Sequence, residues 1–253
     1  MTETSNQTVD TVAGTRNGDA VPAKSSRGSA KALVSRFVPK SLLKELQTYR
    51  SFKENHRPIY LKLRLLDLMG MGNGKRKAPP SARSLLFVCF GNRMRSPMCE
   101  ALIIQELGRQ RDDFKIRSAG LHAETGNTAH HWAIAAAPEF GIALEPHRAA
   151  LLTPEMVSSA DAIFAMDYHN EVELVATYPE ARGKIFMLGA YAGDSYPDVE
   201  IADPYHGTPE QTRDCYRILQ RCIRQLASEV LADVRPAASG GRAPVAGDVS
   251  IDS

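Results

Sequence analysis

A tight loop joins a strand-like run to a helix-like run, and this order constrains the fold more than any other part of the chain. Residues 85–88 are all apolar and lead directly to Cys89, which is typical of a buried strand. Gly91 and Asn92 follow in the loop, and both residue types tolerate the backbone angles that tight turns require. An amphipathic pattern over residues 97–110 then predicts a helix. The sequence therefore predicts a strand, a loop and a helix in direct succession.

The residues at the end of this loop indicate an anion site. Ser96 suits an N-cap and Pro97 suits the first helical position, so backbone N–H groups would converge at a helix N-terminus, where anions bind readily. Arg95 adds a planar guanidinium that matches two oxygens of a phosphate. The same positive field favours the thiolate of Cys89, which is the nucleophilic form. A lone cysteine at a strand end is usually an inert core residue, but the full pattern favours a nucleophile in a phosphate-binding loop.

Strand-like and helix-like segments alternate over the rest of the chain. We predict strands at residues 84–90, 114–118, 161–165 and 184–188, and helices at residues 97–110, 129–140, 153–159, 168–177 and 209–231. This alternation predicts an α/β fold, with an open, mainly four-stranded parallel sheet and helices on both faces. Right-handed crossovers place the strand ends at one edge, where ligands bind in such folds. The same edge starts a long loop, residues 189–208, that carries Asp203.

Charge and composition divide the chain into regions. Residues 1–80 contain 15 Lys or Arg and 6 Asp or Glu, whereas the whole chain contains 31 and 29. We predict a disordered tail at residues 1–30, a basic amphipathic helical module at 31–69 and a linker at 70–80. The α/β domain follows at residues 81–235, and residues 236–253 form a second disordered tail. The α/β fold is thus preceded by a basic, partly helical N-terminal extension.

The basic module at residues 31–69 has two interpretations that the sequence leaves open. It can dock on an anionic membrane surface or on a partner protein. It can equally pack on the α/β domain with a solvated basic face. Nucleic acid is a weaker candidate, because aromatic residues are not interleaved with the basic ones. Without a signal-like start or a run of 18 apolar residues, we expect a cytoplasmic protein that is soluble or membrane-peripheral.

Three further segments of the chain, taken together with the Cys89 loop, match the sequence pattern of a known family. These segments are Ser118-Ala119-Gly120, Ala165-Met166-Asp167 and Asp203-Pro204-Tyr205. With the Cys89 loop, they resemble the low-molecular-weight protein tyrosine phosphatases of the bacterial type over residues 83–234. The resemblance implies that Cys89 takes the phosphoryl group and that Arg95 binds two phosphate oxygens. It also implies that Asp203 protonates the leaving phenol and then activates water.

The same resemblance implies supporting roles for the neighbouring residues. Ser96 would donate a hydrogen bond to the sulfur of Cys89, and Asn92, supported by Ser118, would hold the loop in its strained shape. Phe90 and Tyr205 would line the slot for the substrate ring. The implied substrate-binding residues are Phe90, Gly91, Asn92, Arg93, Met94, Ser96 and Tyr205. The implied substrate is a tyrosine-phosphorylated protein, with a bacterial tyrosine kinase of envelope polysaccharide synthesis as one candidate, and the chemistry needs no metal or cofactor.

Two other functions remain open. Arsenate reduction uses the same fold and a similar loop, but it needs further cysteines to relay a disulfide. The chain has Cys89, Cys99, Cys215 and Cys222, with none between the second and third, which disfavours such a relay. The other alternative is a phosphotyrosine-binding module that the N-terminal segment targets. The chain has all three residues that turnover needs, Cys89, Arg95 and Asp203, and their presence disfavours a module that only binds.

One departure from the family pattern leads to a redox prediction. Many members carry a second cysteine directly before the arginine, where this chain has Met94. That cysteine can form a reversible disulfide with the nucleophile and protect it from over-oxidation. We expect peroxide to inactivate this enzyme less reversibly, because sulfinic and sulfonic acids are not reduced by thiols. The measurement is the activity recovered by thiol after peroxide treatment, and full recovery would contradict the prediction.

Overall fold

The computed structural model describes residues 40–72, 76–193, 196 and 198–234. The predicted tails at residues 1–30 and 236–253 lie outside the described residues. The chain divides into two compact units, residues 1–46 and 47–253. Of the first unit, the structure describes residues 40–46, which are helical.

The second unit is built on a four-stranded parallel sheet, which confirms the predicted α/β fold. The strands are β1 (Ser84–Cys89), β2 (Lys115–Gly120), β3 (Ala162–Ala165) and β4 (Ile185–Met187). Their order across the sheet is β2-β1-β3-β4, and all pairs are parallel. The central position of β1 explains its unbroken apolar run, because a central parallel strand is buried on both faces.

Alternate residues of the central strands build two separate cores. Phe87 and Phe164 point to one side, and their rings stack with centroids 5.2 Å apart. Leu86, Val88 and Ile163 point to the other side. This alternation follows from the two-residue period of a strand, so each face of the sheet requires its own cover of helices.

The helices cover both faces, and several of their ends differ from the sequence predictions by one to four residues. The α/β domain contains α3 (Arg95–Leu107), α4 (His131–Ala136), α5 (Pro154–Ser159), α6 (Tyr168–Thr177) and α7 (Pro209–Val234). Short 3-10 turns lie at Gly108–Asp113, Ala137–Phe140, Pro179–Lys184 and Leu188–Tyr191. The predicted helix at residues 129–140 is split, because Pro138 has no N–H to donate to the preceding turn, and a 3-10 turn follows at Ala137–Phe140.

The predicted start of α3 was also wrong. The helix begins at Arg95 rather than at Pro97, and its N-cap position is Met94, which makes no side-chain cap. Ser96 is not an N-cap, because its hydroxyl bonds the loop instead, at 3.0 Å from the sulfur of Cys89 and 2.9 Å from the amide nitrogen of Asn92.

None of the helices in the described residues has both the length and the hydropathy that a membrane-spanning helix needs.

Two further helices lie in the N-terminal extension, α1 (Lys40–Ser51) and α2 (Arg57–Leu68). Phe52, Tyr60 and Leu63 are buried in the same core as Leu86 and Val88 of β1. Burying each such side chain stabilises the fold by roughly 1.5–3 kcal/mol. Residues 47–68 therefore form part of the cover on this face of the sheet. This part of the basic module packs on the α/β domain, which is the second of the two interpretations given above.

The segment predicted as a linker, residues 70–80, is held against the domain at its C-terminal end. The guanidinium of Arg76 donates to the carbonyls of Gly183 and Ile185 at 2.8 and 3.1 Å. The backbone N–H of Ala78 donates to the hydroxyl of Tyr191 at 2.8 Å. These contacts fix the path by which the chain reaches β1.

A buried tyrosine connects α2 to α6. The hydroxyl of Tyr168 accepts a hydrogen bond from Arg64 at 2.8 Å and donates one to Asp67 at 2.7 Å. Burial raises the pKa of Tyr168, so its hydroxyl remains protonated at neutral pH. The edge of the Tyr168 ring also meets the ring of Tyr60. This contact ties the extension to the helix that follows β3.

We expect Tyr168→Phe to weaken this connection. Loss of the hydroxyl removes two hydrogen bonds to charged groups, which should lower the free energy of unfolding by about 1–3 kcal/mol. Urea unfolding measures that change, and limited proteolysis should cut residues 50–72 faster. The control is Tyr178→Phe, since Tyr178 is half-buried and its hydroxyl makes no hydrogen bond to a described residue. Equal stability of the two variants would contradict the prediction.

Candidate active site

The loop between β1 and α3 depends on one residue in a left-handed conformation. Asn92 has a φ of 51°, and no other non-glycine residue of the described chain has a positive φ. Its side-chain amide donates to the hydroxyls of Ser96 and Ser118, both at 2.9 Å, and its side-chain oxygen accepts from the backbone N–H of Ala150 at 2.8 Å. Asparagine tolerates this conformation better than most residues. Three hydrogen bonds therefore fix the shape of the loop.

The end of β2 passes directly beneath this loop. A Cβ at Gly120 would lie 2.7 Å from the backbone nitrogen of Asn92 and 2.8 Å from the carbonyl carbon of Gly91. Backbone atoms cannot move aside cheaply, so this position requires glycine. The final residues of β1 and β2 are register partners, Cys89 with Gly120. The sheet thus sets the floor on which the loop lies.

A second layer of polar groups supports Asn92 from outside. A ring nitrogen of His147 lies 2.8 Å from the carbonyl oxygen of Asn92. The hydroxyl of Ser118 donates to the carboxyl of Glu100 on α3 at 2.5 Å. Burial raises the pKa of Glu100. The loop is therefore held by β2, by α3 and by the segment that contains His147.

The amides of the loop are free to bind an anion. Among the described residues, no group accepts a hydrogen bond from the backbone N–H groups of residues 90–94. These groups lie between Cys89 and the N-terminus of α3, which carries a partial positive charge. The hydroxyl of Ser96 lies 3.0 Å from the sulfur of Cys89. Such an arrangement of amides at a helix N-terminus binds phosphate and similar anions.

Arg95 is buried behind the loop, with a side chain that is 1% exposed. One terminal nitrogen donates to Asp167 at 2.6 Å and to the carbonyl of Ile201 at 2.8 Å, and the other donates to Asp203 at 2.5 Å. Burial opposes its charge, but the two carboxylates hold the pKa of Arg95 above its ordinary value. Its Nε is buried without a hydrogen-bond partner among the described residues. The edge formed by Nε and the nitrogen near Asp203 suits two oxygens of a phosphate.

The two carboxylates that contact Arg95 come from different parts of the fold. Asp167 follows β3 and is the N-cap of α6, where it accepts from the backbone N–H of Asn170 at 2.8 Å. Asp203 lies on the long loop after β4, and its second oxygen accepts from the backbone N–H of Tyr205 at 3.1 Å. The Asp167 side chain is 17% exposed and that of Asp203 is 38% exposed. Asp203 is therefore the carboxylate that faces the open side of the site.

A cleft of about 450 Å³ opens in front of Cys89 and has aromatic walls. Phe90 is 56% exposed and packs on His122, with ring centroids 4.6 Å apart. On the opposite side, Tyr205 packs on His130 at 5.1 Å. The guanidinium of Arg93 donates to the carbonyl of Thr128 at 3.0 Å and lies beside the ring of Tyr205. The cleft can accept a flat side chain that ends in an anion.

The structure brings together the residues that the sequence selected. Those lining the cleft are Cys89, Phe90, Gly91, Arg93, Met94, Arg95, Asp203 and Tyr205. Asn92, Ser96 and Ser118 lie beneath it and make the hydrogen bonds described above. Among the described residues, no group of three or more His, Cys, Asp or Glu side chains could hold a metal ion.

Sequence reasoning missed Asp167, Glu100 and His147 as parts of the site. The segment that contains Asp167 matched the family pattern, but no role was assigned to its carboxylate. An aspartate directly after a strand and before a helix is a recognisable N-cap signal, and it also marks the sheet edge where ligands bind. Glu100 and His147 gave no comparable signal, because their partners are distant in the sequence.

The α/β domain is similar to proteins of known activity. The family model described as low molecular weight phosphotyrosine protein phosphatase matches residues 84–236. A protein-arginine-phosphatase of Bacillus subtilis (strain 168) is 36% identical over 154 residues, which are 60% of this chain and 99% of the relative. The low molecular weight protein-tyrosine-phosphatase Etp of Escherichia coli (strain K12) is 33% identical over 147 residues, which are 58% of this chain and 94% of the relative.

Solved structures show the same likeness. The tyrosine phosphatase Wzb from Escherichia coli K30, in complex with sulphate, matches with a TM-score of 0.53 and 31% identity. The match covers 59% of this chain and 99% of that one. The extension before residue 84 lies outside the region that the family model matches.

Two substitutions of Asn92 should separate its backbone role from its hydrogen bonds. Asn92→Gly removes the side-chain bonds and should lower the free energy of unfolding by about 1–3 kcal/mol, because buried partners lose their hydrogen bonds. Asn92→Ala should lower it by about 1 kcal/mol more, since a Cβ disfavours the left-handed conformation. Urea unfolding of the two variants measures the difference. If Asn92→Ala is as stable as Asn92→Gly, the loop does not depend on the positive φ.

Proposed function

The chain belongs to the low molecular weight phosphotyrosine protein phosphatase family, and on that premise we propose that it hydrolyses phosphotyrosine in proteins through a phosphocysteine intermediate. The observation that carries the proposal is the convergence of Cys89, Arg95 and Asp203 on one aromatic-walled cleft. The loop amides beside Cys89, which have no acceptor among the residues that the structure describes, support a phosphate at that point. Phosphoryl transfer depends mainly on positioning and on stabilising charge on the phosphoryl oxygens, and these groups supply both.

Substrate binding in this proposal rearranges one contact of Arg95. The nitrogen that contacts Asp167 and Ile201 keeps its partners and anchors the guanidinium. The Nε and the nitrogen that contacts Asp203 bind two phosphoryl oxygens. The phosphate dianion thereby displaces the carboxylate of Asp203 from Arg95. The released carboxylate then lies beside the leaving oxygen of the substrate and takes up a proton from solvent.

The reaction proceeds in two displacements. The thiolate of Cys89 attacks phosphorus, the bond from phosphorus to the phenolic oxygen breaks, and protonated Asp203 gives its proton to that oxygen. Asp203, now ionised, takes a proton from water, which attacks the phosphocysteine and releases phosphate. The sulfur leaves as a thiolate, which the hydroxyl of Ser96 stabilises at 3.0 Å.

The choice between phosphotyrosine and phosphoarginine rests on the walls of the cleft. Relatives of both activities match the chain. Phe90 and Tyr205 suit a phenyl ring, but aromatic faces also attract a guanidinium. Arg93 supports the choice of phosphotyrosine, because its charge lies near the Tyr205 ring on the wall of the cleft. The positive guanidinium part of a phosphoarginine would be repelled there, whereas the neutral phenyl ring of phosphotyrosine would not.

The remaining thiols disfavour arsenate reduction. Cys99, Cys215 and Cys222 are all buried. Burial raises the pKa of Cys215 and that of Cys222 to about 12. Thiols of this kind react slowly, because the thiolate is the attacking form.

The proposed substrate is a tyrosine-phosphorylated protein, with a bacterial tyrosine kinase as the candidate that the family resemblance suggests.

The nucleophile and the acid can be tested with a phosphotyrosine peptide. Cys89→Ser should abolish turnover, and Asp203→Ala should lower kcat by roughly 10²–10⁴-fold. Inhibition by inorganic phosphate should stay as strong or become stronger in Asp203→Ala, because the carboxylate no longer competes for Arg95. Asp214→Ala, which removes an exposed carboxylate on α7, is the control. An inert wild-type enzyme that still binds the peptide would instead indicate a binding module.

The substrate preference can be tested through Arg93. The wild type should have a higher kcat/KM for a phosphotyrosine peptide than for the matching phosphoarginine peptide. Arg93→Gln should shift that ratio toward phosphoarginine by about threefold or more, as expected for one partly exposed charge. Arg117→Gln removes an exposed charge outside the cleft and should leave the ratio unchanged. A wild-type preference for phosphoarginine would overturn the assignment of phosphotyrosine.

A further inference from the structure

A second groove adjoins the candidate active site. It encloses about 500 Å³ and shares Phe90, His122, Arg95 and Asp203 with the first cleft. A peptide whose phosphorylated side chain enters the first cleft must lay its neighbouring residues along the rim. Because the two spaces share these walls, the groove lies within reach of a residue close to the phosphorylated one.

The far wall of this groove is built by the N-terminal extension. The segment between α1 and α2 contributes Phe52, Lys53 and His56. Phe52 is 5% exposed and stacks on His169, with ring centroids 4.4 Å apart. The hydroxyl of Ser51 lies 2.7 Å from a ring nitrogen of His169. The segment is therefore fixed against α6, and the groove has a defined wall.

The groove contains charged groups of both signs, and one of them is the ammonium of Lys53. Asp167 and Asp203 both contact Arg95, and Glu173 lies 2.7 Å from a ring nitrogen of His122. Lys53 and His56 also line the groove. Within the part of the chain that the structure describes, neither of these basic side chains forms an ion pair. An acidic side chain that reaches Lys53 would form an ion pair there without displacing a carboxylate of the described chain, and the ring of His56 lines the same wall.

We propose that the extension forms a substrate subsite that binds an aspartate or glutamate close to the phosphotyrosine. The inference rests on the proposed phosphotyrosine phosphatase function. The family match begins at residue 84, so Lys53 and His56 are additions of this chain outside the matched region. The extension therefore narrows the set of phosphoproteins that the α/β domain accepts.

The test compares four phosphotyrosine peptides of equal length. Each carries either two Glu or two Lys, on either the N-terminal or the C-terminal side of the phosphotyrosine. With the full chain, the Glu peptide should have the higher kcat/KM on at least one side, by about threefold, as one exposed ion pair allows. The difference should lie in KM rather than kcat, because the contact is the same in the ground state and the transition state. Salt at about 0.5 M should reduce it, because exposed charges are screened.

Charge reversal locates the preference in the extension. Lys53→Glu should bring the ratio of the Glu peptide to the Lys peptide to one or below. Lys62→Glu is the matched control, because Lys62 is exposed on α2 and does not line the groove, and it should keep the wild-type ratio. Each ratio is taken within one variant, so a change in the amount of folded enzyme cancels.

The outcomes separate the two proposals. If the enzyme hydrolyses para-nitrophenyl phosphate and its kcat/KM is the same for all four peptides, the subsite is overturned and the phosphatase function is left intact. Equal ratios in Lys53→Glu and Lys62→Glu would also overturn the subsite. If the wild type hydrolyses neither the small ester nor any peptide, the proposed function fails and the subsite fails with it.

Discussion

The fold and the site depend together on the burial of one guanidinium. Arg95 is almost fully enclosed, and an unpaired charge in that position would cost several kcal/mol. Its partners come from the end of β3, through Asp167, and from the long loop after β4, through Ile201 and Asp203. Satisfying this charge therefore holds α3, α6 and the long loop at the same strand edge. The catalytic arrangement in the proposed reaction is a by-product of a requirement for folding.

The sequence was informative wherever the signal was local. The apolar run before Cys89 and the spacing to Arg95 predicted the strand, the loop and the helix, and the alternation downstream predicted the four parallel strands. Asp203 was found through family resemblance, since its 108-residue separation from Arg95 leaves no local pattern. The backbone contact between Gly120 and the loop above it was missed for the same reason, whereas Asp167 carried a local N-cap signal to which no role was given. Contacts between distant segments are decided by packing, which no short pattern records.

In the N-terminal extension, the charge pattern and the apolar pattern favour different roles. The basic residues before β1 suggested a surface for anionic partners, whereas the apolar positions decided where the described part lies. Phe52, Tyr60 and Leu63 complete one core of the sheet, and Tyr168 fixes α2 against α6 through Arg64 and Asp67. The charge that remains outside this packing is available for recognition. One segment can thus be structural on its apolar side and selective on its polar side.

The ion pair between Arg95 and Asp203 has a consequence for the end of the proposed catalytic cycle. Inorganic phosphate is a good ligand for any site built to bind phosphoryl groups, so slow product escape would limit turnover. In this protein the carboxylate of Asp203 lies within contact distance of the same nitrogen that would hold the product. After the second displacement Asp203 loses to solvent the proton that it took from water, and its carboxylate then replaces phosphate as a partner of Arg95. In the proposed cycle Asp203 would therefore also help phosphate to leave and free the site for the next substrate.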